Sequence, residues 1–172
     1  MNNPFIGAGT ALVTPFKSDE SIDWDALTKI VHHCLEGGLD YLVIQGTTGE
    51  SPSITPEEKE LMVERIADQV NGKVPLVLGI GGNNTASVIE EIKATDLSNI
   101  DAILSVSPYY SKPTQEGLYQ HFKAVSEACP TDIILYNVPG RTSKNMEVKT
   151  TLRLANDFNN IVAVKEAGNN VA

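Results

Sequence analysis

At 172 residues, 41% hydrophobic and 20% charged, the chain has room for one sizeable core and the composition of a soluble globular protein. Its net charge of −9, from 13 basic and 22 acidic residues, argues against nucleic acid or an anionic membrane as partner. No apolar run approaches a membrane span and no basic n-region with an apolar h-region opens the chain, so a cytoplasmic location is expected.

Strand-like apolar runs and helical stripes alternate from start to finish. The runs are Gly9–Pro15, Tyr41–Gly46, Val74–Gly81, Ala102–Pro108, Asp132–Pro139 and Ile161–Ala167. The first helix, Trp24–Glu36, carries Trp24, Leu27, Ile30, Val31, Cys34 and Leu35 on one stripe and stops at Gly37-Gly38. The second, Pro56–Val70, has Thr55 as N-cap, Pro56 at its first position and Glu58 as the other half of a capping box. Its stripe is Val63, Ile66, Ala67 and Val70. Helices follow over Asn84–Leu97, Gln115–Ala128 (Leu118, Phe122, Val125, Cys129) and roughly Glu147–Asp157. Trp24 is expected in the core. Cys34 and Cys129 read as buried, reduced thiols. Neither they nor His32, His33 and His121 have metal-ligand spacing, since adjacent helical histidines point about a hundred degrees apart.

Strands rich in Val, Ile and Leu on both faces belong to a parallel sheet covered by helices. Repeated βα units leave two architectures, a doubly wound sheet or a barrel, and no linker or composition break divides residues 1–172. In both, the carboxyl ends of the strands form the ligand face. Polar clusters sit at three of those ends: Gly46-Thr-Thr-Gly-Glu50, Tyr136-Asn-Val-Pro-Gly-Arg141-Thr142 and Lys165-Glu166. Lys165 is the most informative residue, because Ile161-Val-Ala-Val precedes it in one apolar strand. If buried there, its ammonium is disfavoured and its pKa falls, and the neutral amine is a nucleophile for a carbonyl substrate. The plainer reading keeps its stem on the strand and its head in water. Three polar clusters at three strand ends favour the chemistry. Gly79-Ile-Gly-Gly-Asn-Asn84 lacks the third glycine of a dinucleotide fingerprint and reads as a tight turn, and no Gly-Lys-Ser/Thr follows Thr47 to make a phosphate loop. Glu50 is expected to anchor its loop.

The motifs just quoted, with Gly9-Thr-Ala-Leu-Val-Thr-Pro15 and Pro108-Tyr-Tyr110, resemble the dihydrodipicolinate synthase family of pyruvate-dependent class I aldolases, which includes N-acetylneuraminate lyase. The resemblance implies a (β/α)8 TIM barrel, here truncated after the sixth strand, with strands seven and eight and the C-terminal helices absent. A closed barrel needs eight strands and usually about 250 residues. It further implies a lyase that condenses pyruvate with L-aspartate 4-semialdehyde in lysine and diaminopimelate synthesis. No cofactor is implied, pyruvate being held as a Schiff base on Lys165.

The resemblance also assigns roles. Lys165 is the imine-forming amine, Tyr136 the proton-transfer tyrosine, Thr47 its hydroxyl partner and Tyr110 a tyrosine donated across a two-fold interface, which implies a homodimer or homotetramer. Thr48 holds the pyruvate carboxylate. Arg141 grips the carboxylate of the semialdehyde, a task suited to its planar fork, and argues against the sialic-acid lyases. Ser143 stands where many synthases have glycine. Lysine-inhibited relatives bind their effector around positions matching Ser51, Asn83 and Tyr109. Asn83 and Tyr109 are retained here, whereas Pro56 and Ser87 replace a histidine and a glutamate. Rival readings are another pyruvate aldolase acting on a sugar-derived keto acid, and a non-catalytic truncated chain.

Overall fold

The structure, a computed structural model, describes residues 4–168, and these fall into two compact units. One holds the chain up to Gly79 together with Ser98–Asp101, and the other holds the rest. Within each unit every strand pairs in parallel with the next in chain order, the signature of βα repetition.

In the first unit, β1 (Gly9–Ala11), β2 (Tyr41–Ile44) and β3 (Leu76–Gly79) lie side by side, with Thr10 opposite Leu42 and Leu42 opposite Leu76. Leu42, Ile44, Val77 and Leu78 are fully buried, as expected of strands covered on both faces. Helix α1 (Trp24–Glu36) starts where the Asp23 carboxylate accepts the Ala26 N–H at 2.9 Å. It buries Leu27 and Val31. Trp24 is only half-buried, contrary to expectation. It opens the helix at the unit's rim, where the Arg65 guanidinium covers its ring at 4.8 Å. Helix α2 (Pro56–Val70) has the full capping box, Glu58 N–H to Thr55 Oγ1 at 3.2 Å and Thr55 N–H to Glu58 Oε2 at 3.0 Å. Its buried residues are Met62, Ile66 and Val70, two of them as expected, while Val63 and Ala67 are half-buried and Met62 fills the stripe.

In the second unit, β4 (Ala102–Val106), β5 (Asp132–Asn137) and β6 (Ile161–Glu166) carry helices α3 (Thr85–Ala94), α4 (Gln115–Ala128), a one-turn α5 (Pro139–Thr142) and α6 (Val148–Asp157). Phe122, Leu118, Val125, Ile133, Leu135 and Leu154 fill its core. Helix α3 stops at Ala94, short of the expected Leu97, because Thr95 turns extended and its hydroxyl donates back to the Glu91 carbonyl at 2.7 Å. Helices α4 and α6 are stapled by Arg153, which stacks 3.4 Å over the Tyr119 ring and reaches Glu116 at 2.6 Å. Gln115 completes the staple: its Oε1 accepts the Glu147 N–H at 3.0 Å and the Thr150 hydroxyl at 2.7 Å. The start of α6 is thereby capped by a side chain from α4.

Among the described residues no helix is long and apolar enough to cross a membrane. Both cysteines are free, Cys129 buried and Cys34 only half-buried, and burial raises both thiols above their ordinary pKa.

His121 is a buried titratable group of the second unit. It lies on the inner face of α4, 4% exposed, with Nδ1 2.8 Å from the Thr85 hydroxyl and Nε2 without a partner. Desolvation pushes its imidazole from 6.5 down to about 4. The unfolded chain therefore binds the extra proton first, and this site lowers stability as pH falls from about 6.5 toward 4, by about 3 kcal/mol in all. Denaturant melts across that window should show the loss, and His121→Gln should flatten this part of the profile. An unchanged slope in the variant would show that other groups set it.

Candidate active site

Parallel pairing at the carboxyl ends of β5 and β6 sets Tyr136 beside Lys165 and Asn137 beside Glu166. Side chains at paired positions of a parallel ladder point to the same face. Accordingly the Lys165 Nζ lies over the Tyr136 ring, 4.6 Å from its centroid. Tyr136 is 7% exposed.

Lys165 itself is exposed, against the expectation of a desolvated amine. The reason lies in its strand. Ile161 is buried at the start of β6, but burial declines along it until Val164 is 43% exposed. Among the described residues β6 has one strand neighbour, β5, so half of its wall is uncovered. The apolar run was legible; the cover over it was not.

Asn137 organises the surroundings. It is 1% exposed, and its amide is fully used. Nδ2 donates to Asn145 Oδ1 at 2.7 Å and to Glu166 Oε2 at 2.8 Å, while Oδ1 accepts the Met146 N–H at 3.0 Å. The other Glu166 oxygen accepts the Gly168 N–H at 2.6 Å. Neither Asn137 nor Glu166 was picked out as a site residue from the sequence. The available signal was their equal offset, each one residue beyond a candidate catalytic side chain.

Arg141 sits on α5, the single turn after β5, with its side chain exposed. Periodicity cannot reveal a four-residue helix, and the apolar run of β5 continues in sequence through Val138-Pro139. The turn is closed by Thr142, 1% exposed, whose hydroxyl donates 2.8 Å to the Lys144 carbonyl. Ser143 caps it at φ +56°, in the left-handed region. That conformation gives the glycine of many relatives its physical reason. Ser143→Gly should relieve about 0.5–1 kcal/mol of strain, less the extra freedom glycine has when unfolded. A melting temperature unchanged or slightly raised, with Arg141 function retained, is the expected outcome; a clear loss of stability would contradict it.

In the other unit, the loop after β2 forms two short 3₁₀ turns, Thr47–Gly49 and Ser51–Ser53, joined by Glu50 at φ +52°. Glu50 anchors the loop through its backbone, its N–H bonding the Thr47 carbonyl at 3.2 Å and its carbonyl the Ser53 N–H at 2.8 Å. Thr14 donates its hydroxyl to the Gly49 carbonyl at 2.6 Å, and the Gln45 amide donates to the Lys59 carbonyl at 2.7 Å. Thr47 and Thr48 are left exposed on a turn whose first amides have no acceptor within it. Gly79, the last residue of β3, is glycine because a Cβ there would collide with the Gln45 carbonyl just past β2.

The sequence candidates therefore divide. Lys165 and Tyr136 meet, with the Arg141 segment tied to them through Asn137. Thr47, Thr48 and Ser51 share the β2 loop. Tyr109 and Tyr110 follow β4, with Tyr110 90% exposed at φ +69°, a conformation rarely held by an aromatic residue. Asn83 is exposed just before α3. Among the described residues no cluster of three or more His, Cys, Asp or Glu could hold a metal ion.

The model of the dihydrodipicolinate synthetase family matches residues 4–172. A curated 4-hydroxy-tetrahydrodipicolinate synthase from Flavobacterium psychrophilum is 59% identical over 167 residues, covering 97% of this chain and 57% of that protein. The solved dihydrodipicolinate synthase of Thermotoga maritima superposes with a TM-score of 0.94 at 43% identity, over 98% of this chain and 57% of its own. The enzyme of Cyanidioschyzon merolae, solved with lysine bound, gives 0.93 at 39% identity, over 99% and 58%. The chain thus spans a little over half the length of the relatives it matches, and its fold class is that of their (β/α)8 barrels, represented through the sixth strand.

Proposed function

Because the chain belongs to the dihydrodipicolinate synthetase family, we propose that the full-length protein condenses pyruvate with L-aspartate 4-semialdehyde to give 4-hydroxy-tetrahydrodipicolinate. The observation that carries this reading is the pairing of Lys165 with Tyr136 on adjacent strand ends, with Arg141 on the turn that follows.

The Lys165 amine adds to the keto carbon of pyruvate, and loss of water leaves an iminium. The iminium draws electrons from the methyl carbon, which loses a proton and becomes an enamine carbon. That carbon attacks the aldehyde carbon of the semialdehyde, whose oxygen takes up a proton. The amino group of the same substrate then displaces Lys165 from the imine and closes the ring. The steps need proton transfers around the bound pyruvate, and in this reading the phenol of Tyr136, whose ring centroid lies 4.6 Å from the lysine nitrogen, donates and accepts them. A phenol is a weak base in water, so it needs a hydroxyl neighbour to share the proton. Thr47 fills that role in this reading, with Tyr110 from a second subunit leading to solvent. The exposure and left-handed backbone of Tyr110 support an outward role in a homodimer or homotetramer. Thr48 holds the pyruvate carboxylate through its hydroxyl and loop amide. Arg141 binds the carboxylate of the semialdehyde in a two-pronged grip. The lysine supplies the electron sink, so the reaction calls for no cofactor, and its place is the cytoplasm.

Offering the full-length protein pyruvate with each aldehyde in turn tests the reading. Turnover with aspartate semialdehyde is expected. Turnover with N-acetylmannosamine or glyceraldehyde alone would move the protein to another aldolase of this scaffold.

Lysine should inhibit weakly or not at all. Position 87 is an exposed serine, and position 56 is a proline spent as the first residue of α2. The lost carboxylate at position 87 removes a charge-assisted hydrogen bond to the effector's amino group, about ten- to a hundredfold in affinity. Strong inhibition at submillimolar lysine, at fixed pyruvate, would contradict this.

A further inference from the structure

We infer that the hydrogen bond from Asn137 to Glu166 positions Lys165 against Tyr136 and couples both to the segment that carries Arg141. Asn137 and Glu166 are therefore positioning residues of the site. The inference rests on the condensation reading above and adds two residues to it.

The geometry specifies residue types. Both strands finish at this point, so few backbone bonds remain to hold their ends together. Asn137 and Glu166 close that end side chain to side chain, one step beyond the Tyr136–Lys165 pair, at 2.8 Å. A second bond, Ala167 N–H to the Asn137 carbonyl at 2.8 Å, holds the chain just past Glu166. The same Asn137 amide reaches Asn145 and the Met146 N–H, fixing the far end of the turn that begins at Pro139. Gln115 fastens that segment from the other side, donating to the Asn145 carbonyl at 2.8 Å. One buried amide therefore touches the strand of the tyrosine, the strand of the lysine and the loop of the arginine.

The donor and acceptor pattern admits few substitutes. Glu166 accepts from two donors, Asn137 Nδ2 and the Gly168 N–H, which a carboxylate does with both oxygens. A glutamine would present an NH2 group to one of them. Asn137 must donate twice and accept once. An aspartate there would face Glu166 with a second carboxylate, and two like charges at this range repel. Changing both residues together reverses the bond without removing it. In Asn137→Asp/Glu166→Gln, the glutamine donates to the aspartate and keeps its oxygen for Gly168, while the Asn145 amide can turn to donate to the aspartate.

That reversal supplies the test, in the full-length protein. Sites able to form the imine are titrated with pyruvate and borohydride, and turnover with pyruvate and aspartate semialdehyde is divided by the titrated sites. Asn137→Asp and Glu166→Gln should each lower turnover per titrated site about tenfold or more, in line with a charge-assisted hydrogen bond. The double variant should recover most of that loss. A merely structural role would change the number of titrated sites and leave turnover per site constant, and that result would overturn the inference. So would a double variant whose loss is the sum of the two single losses. Wild-type protein that takes up no pyruvyl label would instead overturn the condensation reading itself. If a single variant does not fold, recovery of normal turnover per site in the double variant still supports the bridge, and a folded double variant as impaired as the remaining single variant refutes it.

Discussion

Lys165→Ala and Lys165→Arg are both expected to lose more than about 10⁴-fold in turnover, because the covalent route disappears with the amine. Alanine removes the nucleophile outright. Arginine tests a sharper point, since it keeps positive charge and length over the Tyr136 ring but cannot offer a neutral nitrogen at working pH. If Lys165 served only as a cation, arginine would restore much of the rate. In the present chain Lys165 is exposed, so neither substitution there buries a charge or opens a cavity, and both variants of this chain should melt close to its wild type. A lysine variant retaining a tenth of normal turnover would remove Lys165 from the mechanism.

Tyr136→Phe is the second large effect. Tyr136 is 7% exposed, and its ring lies against the lysine, so phenylalanine conserves the packing and deletes one hydroxyl. The expected outcome is a fall in kcat of about 10²–10³-fold, the usual worth of a positioned proton donor and acceptor. Pyruvate KM should change little, because the carboxylate contacts belong to Thr48 and its loop in the proposed reading. A rise in KM with kcat unchanged would mean that the hydroxyl binds substrate and transfers no proton.

Much of this was readable in the sequence, and for identifiable reasons. The limits of α1, α2 and α4 were as expected because Gly37, the Thr55–Glu58 box and the run ending at Ala128 are strong local signals. The starts of all strands but β3 were as expected, whereas every expected strand runs too far at its carboxyl end, because the run continues past the last ladder residue. In β1 pairing stops at Ala11, while Leu12 is still buried at 4% and Thr14 turns away to bond Gly49. The turns that carry Thr47 and Arg141 escaped, being shorter than any hydrophobic period.

The site shows the same division. Lys165 and Tyr136 stood out as polar groups in apolar strands, and β-pairing brings them together. Asn137 and Glu166 did not, because their partners lie 29 residues apart in sequence. The Ser143 departure acquires meaning only from its positive φ. Burial of Lys165 was expected from the strand's composition, yet burial depends on what covers a strand.

The most direct measurement is mass spectrometry of the full-length protein after incubation with pyruvate and borohydride, followed by proteolytic mapping. One reduced pyruvyl group on the peptide containing Lys165, absent from Lys165→Ala, is the predicted result. Label on another lysine, or no label with turnover intact, would contradict the assignment of Lys165 as the imine-forming amine.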